Sequence, residues 1–215
     1  MFELAIVFGA GTIALIATKN VNLPTKTEEK KTKQRLERLW SVAQKAMNSR
    51  KFVPAEKALL TILKIDHKNA PAYNRLGILY ARQHNYDDAV ECFEIASSLE
   101  PKASSLHNLG LIFYEIEKYD KSINAFKRAI ELEPMAARHI ALAKVYQKQE
   151  KGKLVIEQLI KAAELEPNPQ TYKILIDAYK AVGDDESVKI VEDKLKKLIV
   201  PKGRKNTVQR AKKVQ

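Results

Sequence analysis

The sequence predicts an all-α fold: a solenoid of about five helical hairpins with a short apolar helix ahead of it. Three observations carry that expectation. The triplet Leu99-Glu100-Pro101 recurs as Leu132-Glu133-Pro134 and Leu165-Glu166-Pro167, 33 residues apart each time. Between the triplets, apolar residues fall three or four apart, which places them on one face of a helix. At the N-terminus, Leu4 to Ala17 is an uncharged and mostly apolar run.

The stretch from Ala70 to Pro101 shows the unit most clearly. Tyr73, Leu76, Gly77 and Tyr80 line one face of a first helix. Gly77 has no side chain, so another helix can approach closely there. Ala89, Phe93 and Ala96 line a second helix, with small residues flanking a large one as close helix packing requires. His84 and Asn85 mark the turn between the two, and Pro101 ends the second helix. Asn69 is placed to cap the first helix, whose early Pro71 suits a first turn. A single hairpin of this size cannot bury its apolar face, so neighbours are needed. An aromatic, a Leu-Gly pair, a second aromatic, then Ala, Phe and Pro at these intervals resemble the tetratricopeptide repeat, with Tyr73 standing where that family usually has Trp.

The neighbours follow the same frame. Leu106, Leu109, Gly110, Phe113, Ser122, Phe126, Ala129 and Pro134 form the next copy. His139, Leu142, Ala143, Tyr146, Leu159, Ala162 and Pro167 form the one after, with Val155 in a place for a small residue. Upstream, Leu39, Val42, Ala43, Ala46, Ala55, Leu59 and Ile62 fit, with His67 in the proline place. Downstream, Tyr172, Leu175, Tyr179 and Leu195 fit, but Glu192 sits where Phe is expected. The array therefore spans 36–200, in units 36–69, 70–102, 103–135, 136–168 and 169–200. The outer two are degenerate, as terminal units are when one face meets water. The resemblance implies a right-handed α-solenoid.

Before the array lie two further segments. Residues 1–19 contain the apolar run, and the sequence predicts a transmembrane anchor there. A cleaved signal peptide is the alternative, although Glu3 and Leu15 fit its start and cleavage site poorly. A buried helix of the folded domain is the other. Residues 20–35 read as a basic linker in which Thr25 and Glu28 form a capping box for a short helix. Lys19, Lys26, Lys30, Lys31, Lys33 and Arg35 follow the apolar run, so the expected topology is single-pass with the repeats facing the cytoplasm. That layout resembles N-terminally membrane-anchored bacterial tetratricopeptide repeat proteins. After the array, residues 201–215 form a basic tail read as disordered.

Charge separates these parts. The whole chain carries a formal +12, but residues 52–198 hold 22 basic and 22 acidic side chains. The excess lies in 26–51, with nine basic against three acidic, and in Lys202 to Lys213, with six basic and none acidic.

No chemistry is expected. The chain lacks a glycine-rich phosphate loop and a nucleophile signature, and no two of His67, His84, His107 and His139 lie three or four apart to share a metal. Catalytic, cofactor-binding and metal residues are all expected to be absent. Asp87-Asp88 and Asp184-Asp185 sit at starts of second helices, where they complement the helix dipole. Cys92, the one cysteine, sits beside Phe93 and reads as a buried thiol.

The resemblance implies a concave groove lined by the first helices, which holds a peptide or helix of a partner. The residues it points to are Trp40, Gln44, Asn74, Ile78, Arg82, His107, Leu111, Tyr114, Lys144, Gln147, Lys148, Lys173, Asp177 and Lys180. The first half mixes apolar and polar groups and the last half is mostly basic, which suits acidic groups at that end of a ligand. Some family members grip a carboxylate terminus with Lys, Asn and Arg. Asn108 fits one such place, but Asn74, Ile78, Ala137 and Ala141 stand in flanking ones, so that clamp is not expected. The expected function is a non-catalytic, membrane-tethered protein-interaction scaffold without cofactor. Two alternatives are an RNA- or ribosome-associated factor acting through the basic flanks, and a secreted or periplasmic assembly factor. The tail has no aromatic to stack on bases, which weighs against nucleic acid. Partner identity and oligomeric state are not legible.

Overall fold

The computed structural model describes residues 25–199, and in them the chain is ten α-helices stacked as five antiparallel hairpins. The hairpins are α1 (Lys26–Asn48) with α2 (Phe52–Ile65), α3 (Ala70–Arg82) with α4 (Tyr86–Leu99), and α5 (Ala103–Glu115) with α6 (Tyr119–Leu132). They continue with α7 (Ala136–Lys148) and α8 (Gly152–Leu165), then α9 (Pro169–Ala181) and α10 (Asp185–Ile199). Each helix packs on its hairpin partner and each second helix packs on the next first helix, giving the expected solenoid.

Local signals start and stop these helices. The Asn69 side chain accepts the Ala72 N–H at 3.0 Å, and Asn168 accepts that of Thr171 at 2.8 Å. Pro71 and Pro169 occupy the first turns behind those caps. The first helices end on a residue in the left-handed region: Arg50, His84, Glu117 and Glu150 with φ from 54° to 60°, and Gly183 at 75°. That conformation reverses the chain within three residues and frees the second helix to run back.

Packing inside the first four hairpins follows one size rule. A residue on the first helix meets the residue sixteen further on, in the second. Where the first is Gly77 or Gly110, the second is Phe93 or Phe126, each 1% exposed. A Cβ on Gly77 would lie 2.7 Å from the Phe93 ring, and one on Gly110 would lie 2.9 Å from Phe126. Where the first is Ala43 or Ala143, the second shrinks to Leu59 or Leu159, both buried. The last hairpin breaks the rule, with Ile176 buried and Glu192 half-buried. Among the described residues no further hairpin covers α10, so a charged group there can stay wet.

Two expectations are corrected. Residues 26–35, read as linker, are the first turns of α1, opened by a capping box in which Glu28 Oε2 accepts the Thr25 N–H at 2.8 Å and Thr25 Oγ1 accepts the Glu28 N–H at 3.3 Å. The cap signal was present, and it starts a helix that fuses with the array instead of a separate short one. The single-pass, cytoplasm-facing placement is also overturned: among the described residues no helix is long and apolar enough to cross a membrane. Only α1, at 23 residues, has the needed length of about 20. It carries charge on most turns, from Lys26, Glu28 and Glu29 through Arg35, Glu37 and Arg38 to Lys45. The anchor expected over 1–19 and the tail over 201–215 lie outside the described residues.

Candidate functional site

The first helices α1, α3, α5, α7 and α9 lie side by side, with α3 touching α5 and α5 touching α7. Their packing residues face the second helices, so the remaining positions form a continuous face. Every side chain expected there is accessible. Trp40, Asn74, Ile78, His107 and Tyr114 are half-buried, and Gln44, Arg82, Leu111, Lys144, Gln147, Lys148, Lys173, Asp177 and Lys180 are exposed.

The first half of this face is cross-linked between hairpins. The Arg75 guanidinium lies 5.3 Å above the Trp40 ring and donates to Gln44 Oε1. Gln44 in turn donates to Asn48 at 2.9 Å. One hairpin on, Asn108 donates to Asn74 Oδ1 at 3.4 Å. Arg75 was not among the expected residues, although it orders two that were. Its position in the unit is that of Asn108, one residue after Asn74 and His107 respectively, and both lean back toward the preceding first helix. Arg82 departs from the middle of the face. It donates to the Met47 carbonyl at 3.3 Å and borders a cavity of about 600 Å³ near the first turn.

The centre is apolar. Leu111 is 40% exposed, between His107 and Tyr114 one turn away on either side. His107 leans inward, its ring centroid 5.3 Å from that of Phe126, and its buried Nδ1 has no partner among the described residues. Burial, with the nearby Arg138 charge second, holds its pKa below the usual histidine value. The imidazole is therefore neutral at pH 7 and adds shape rather than charge to the face. Arg138 is itself buried, its guanidinium held by the Glu133 carboxylate at 2.7 Å and by the Glu133 backbone carbonyl.

The far half is basic. Lys144, Lys148, Lys173 and Lys180 are exposed and form no ion pair among the described residues, against the single acid Asp177. Among the described residues no group of His, Cys, Asp and Glu could hold a metal. His139, in an aromatic packing place, is buried and bonds Gln158 at 2.8 Å. Cys92 is buried, and burial followed by the Glu91 and Asp88 charges pushes its thiol up to about 12.

A solenoid of helical hairpins with an accessible inner face defines a class, and the comparisons agree with it. Residues 68–133 match the tetratricopeptide repeat family model. That stretch holds tetratricopeptide repeats, and the same helical hairpin recurs on either side of it. The fold of the chain is similar to that of MamA, at 27% identity and a TM-score of 0.65 over 73% of this chain and 94% of that one. It is similar to MamA from Desulfovibrio magneticus RS-1 at 18% identity and a TM-score of 0.66, covering 76% and 94%. It is also similar to YrrB, described as a TPR protein with an unusual peptide-binding site, at 18% identity and a TM-score of 0.60, covering 73% and 82%. No curated protein matches the sequence.

Proposed function

We propose that this protein is a non-catalytic interaction scaffold that captures a peptide or helix of a partner protein along the inner face of its first helices. The observation that carries the reading is the face itself, where Leu111 is 40% exposed and Trp40, Ile78 and Tyr114 are half-buried, packed against the core on one side and open to solvent on the other. An apolar stripe bordered by amides is suited to a side chain that anchors a ligand. The unpaired lysines of α7 and α9 favour acidic residues at that end of the ligand. The described peptide-binding site of YrrB is consistent with such a role, and the low identity means that it supports the fold and not a shared ligand.

The test is a peptide array probed with the full-length protein, followed by fluorescence anisotropy on the peptides that bind. The triple variant Asn74→Ala, Leu111→Ala, Lys144→Glu is measured beside the parent. Loss of about tenfold or more in affinity places the ligand on this face. Unchanged affinity for every bound peptide rejects it, and equal affinity for acidic and neutral peptides rejects the role given to the lysines.

A further inference from the structure

The repeats serve as their own controls, and one position stands out on the opposite side of the array. The residue at the second place of the second helix is Asp87 in α4, Asp120 in α6, Lys153 in α8 and Glu186 in α10. In α2 it is Val53, 75% exposed. Seven residues on, two turns along the same face, the other units hold Glu94, Lys127, Ile160 and Asp193. There α2 holds Leu60, 43% exposed. Val53 is the departure and Leu60 is matched in kind only by Ile160; the two lie side by side, since residues seven apart share a helix face. They also border the same feature, a groove of about 730 Å³ between α2 and α4 whose floor is Tyr73, Leu76 and Tyr80 of α3.

The groove has charged walls of unequal kind. Asp88 and Glu91 line the α4 wall, which has no basic group. The α2 wall is net basic, with Lys57 and Lys64 against Glu56, whose carboxylate accepts the Tyr80 hydroxyl at 2.8 Å. The matching groove one unit on, between α4 and α6, is lined by Ser97, Ser98, Asn124, Lys121 and Arg128 and has no exposed apolar wall. We propose that the groove between α2 and α4 is a second docking site, for an amphipathic helix of a partner protein that sets an apolar stripe on Val53 and Leu60 and a Lys- or Arg-bearing flank against Asp88 and Glu91. Charge complementarity selects this occupant. On the α4 side, where Asp88 and Glu91 have no basic neighbour in the groove lining, a basic flank is favoured over an acidic one.

The probe is a labelled Ala-based helical peptide about four turns long, with Leu at every third or fourth place and Lys along one flank, together with a twin carrying Glu in place of Lys. Anisotropy is read with full-length protein, with Val53→Asp/Leu60→Glu, and with Asp88→Lys/Glu91→Lys. The first variant installs the residues that α4 already carries at those places, and circular dichroism checks that folding is kept. The Lys-flanked probe is expected to bind at least tenfold more tightly than its twin, to lose at least tenfold in Val53→Asp/Leu60→Glu, and to lose its preference in Asp88→Lys/Glu91→Lys. Equal binding of the two probes, or binding unaffected by Val53→Asp/Leu60→Glu, overturns the proposal. A concentration-dependent dimer that Val53→Asp/Leu60→Glu abolishes overturns it in favour of a second copy. Probe binding that appears only after residues 1–24 are removed overturns it in favour of this chain's own segment. Because the triple change on the inner face leaves this groove intact, failure here and failure of the inner face are read separately.

Discussion

Gly77 and Phe93 are expected to be coupled, and the size of the coupling follows from the geometry. A methyl group at residue 77 would sit 2.7 Å from Phe93 Cε1, about 0.7 Å short of ordinary contact. Phe93 is 1% exposed, so its ring has no free space to enter. Overpacking of this degree costs about 1–3 kcal/mol. Against it stands a gain of about 1 kcal/mol from replacing Gly by Ala inside a helix. Gly77→Ala should therefore destabilise by roughly 0–2 kcal/mol. Phe93→Leu alone leaves a partial cavity and should cost about 1–2 kcal/mol. The double variant recreates the pairs Ala43 with Leu59 and Ala143 with Leu159, both buried in this same chain. In it the new methyl fills part of the cavity, and the helix gain is kept. The double variant should lie within about 1 kcal/mol of the parent, with a favourable coupling of about 1–2 kcal/mol. Urea titration of the four full-length proteins, followed by far-UV circular dichroism, measures this. Strict additivity, or a double variant less stable than either single one, would refute the size rule.

Three other outcomes follow from the structure. Glu117 and Glu150 are exposed and held at φ 59° and 56°, so Glu117→Gly and Glu150→Gly should each stabilise by about 0.5–1 kcal/mol, seen as a rise of about 1–4 °C in thermal melts. His107 has a folded pKa below its unfolded value, so the unfolded chain takes up the proton first. Stability should hold above about pH 6.5 and fall as the solution is acidified through that value, and His107→Gln should flatten this loss; identical pH profiles for the two proteins would show that the group is not responsible. The Cys92 thiol, buried and raised to about 12, should react with iodoacetamide at pH 8 only as fast as the chain opens, so the rate should climb in step with unfolding in urea.

The amphipathic positions were readable because each helix repeats its apolar residues at its own period. Tyr73, Leu76, Gly77 and Tyr80 needed no knowledge of neighbours to be placed on one face. The side left for solvent followed by subtraction, and the family resemblance is what made Leu111 and Lys144 on it candidates for a groove. The same logic missed Arg75, because its role lies in a contact to Trp40 and Gln44 on the preceding first helix, 35 and 31 residues away. Val53 and Leu60 were passed over for a related reason. They differ from the repeat only when the second helices are laid over one another, and attention to the packing positions hides a change on the outer face.

The sequence by itself determined the kind of protein this is. A fixed 33-residue recurrence of Leu-Glu-Pro, with apolar residues three or four apart between the triplets, specifies hairpins that must stack, because none can bury its own apolar face. Tertiary structure alone decided how the surface is arranged. Stacking set which exposed residues from successive hairpins come together: Trp40 under Arg75, and Val53 and Leu60 above a floor made by α3. It also joined residues 26–35 to the first hairpin as one long helix. Periodicity is encoded within a helix, whereas these neighbours belong to different helices, and their meeting depends on the packing angle that the whole array adopts.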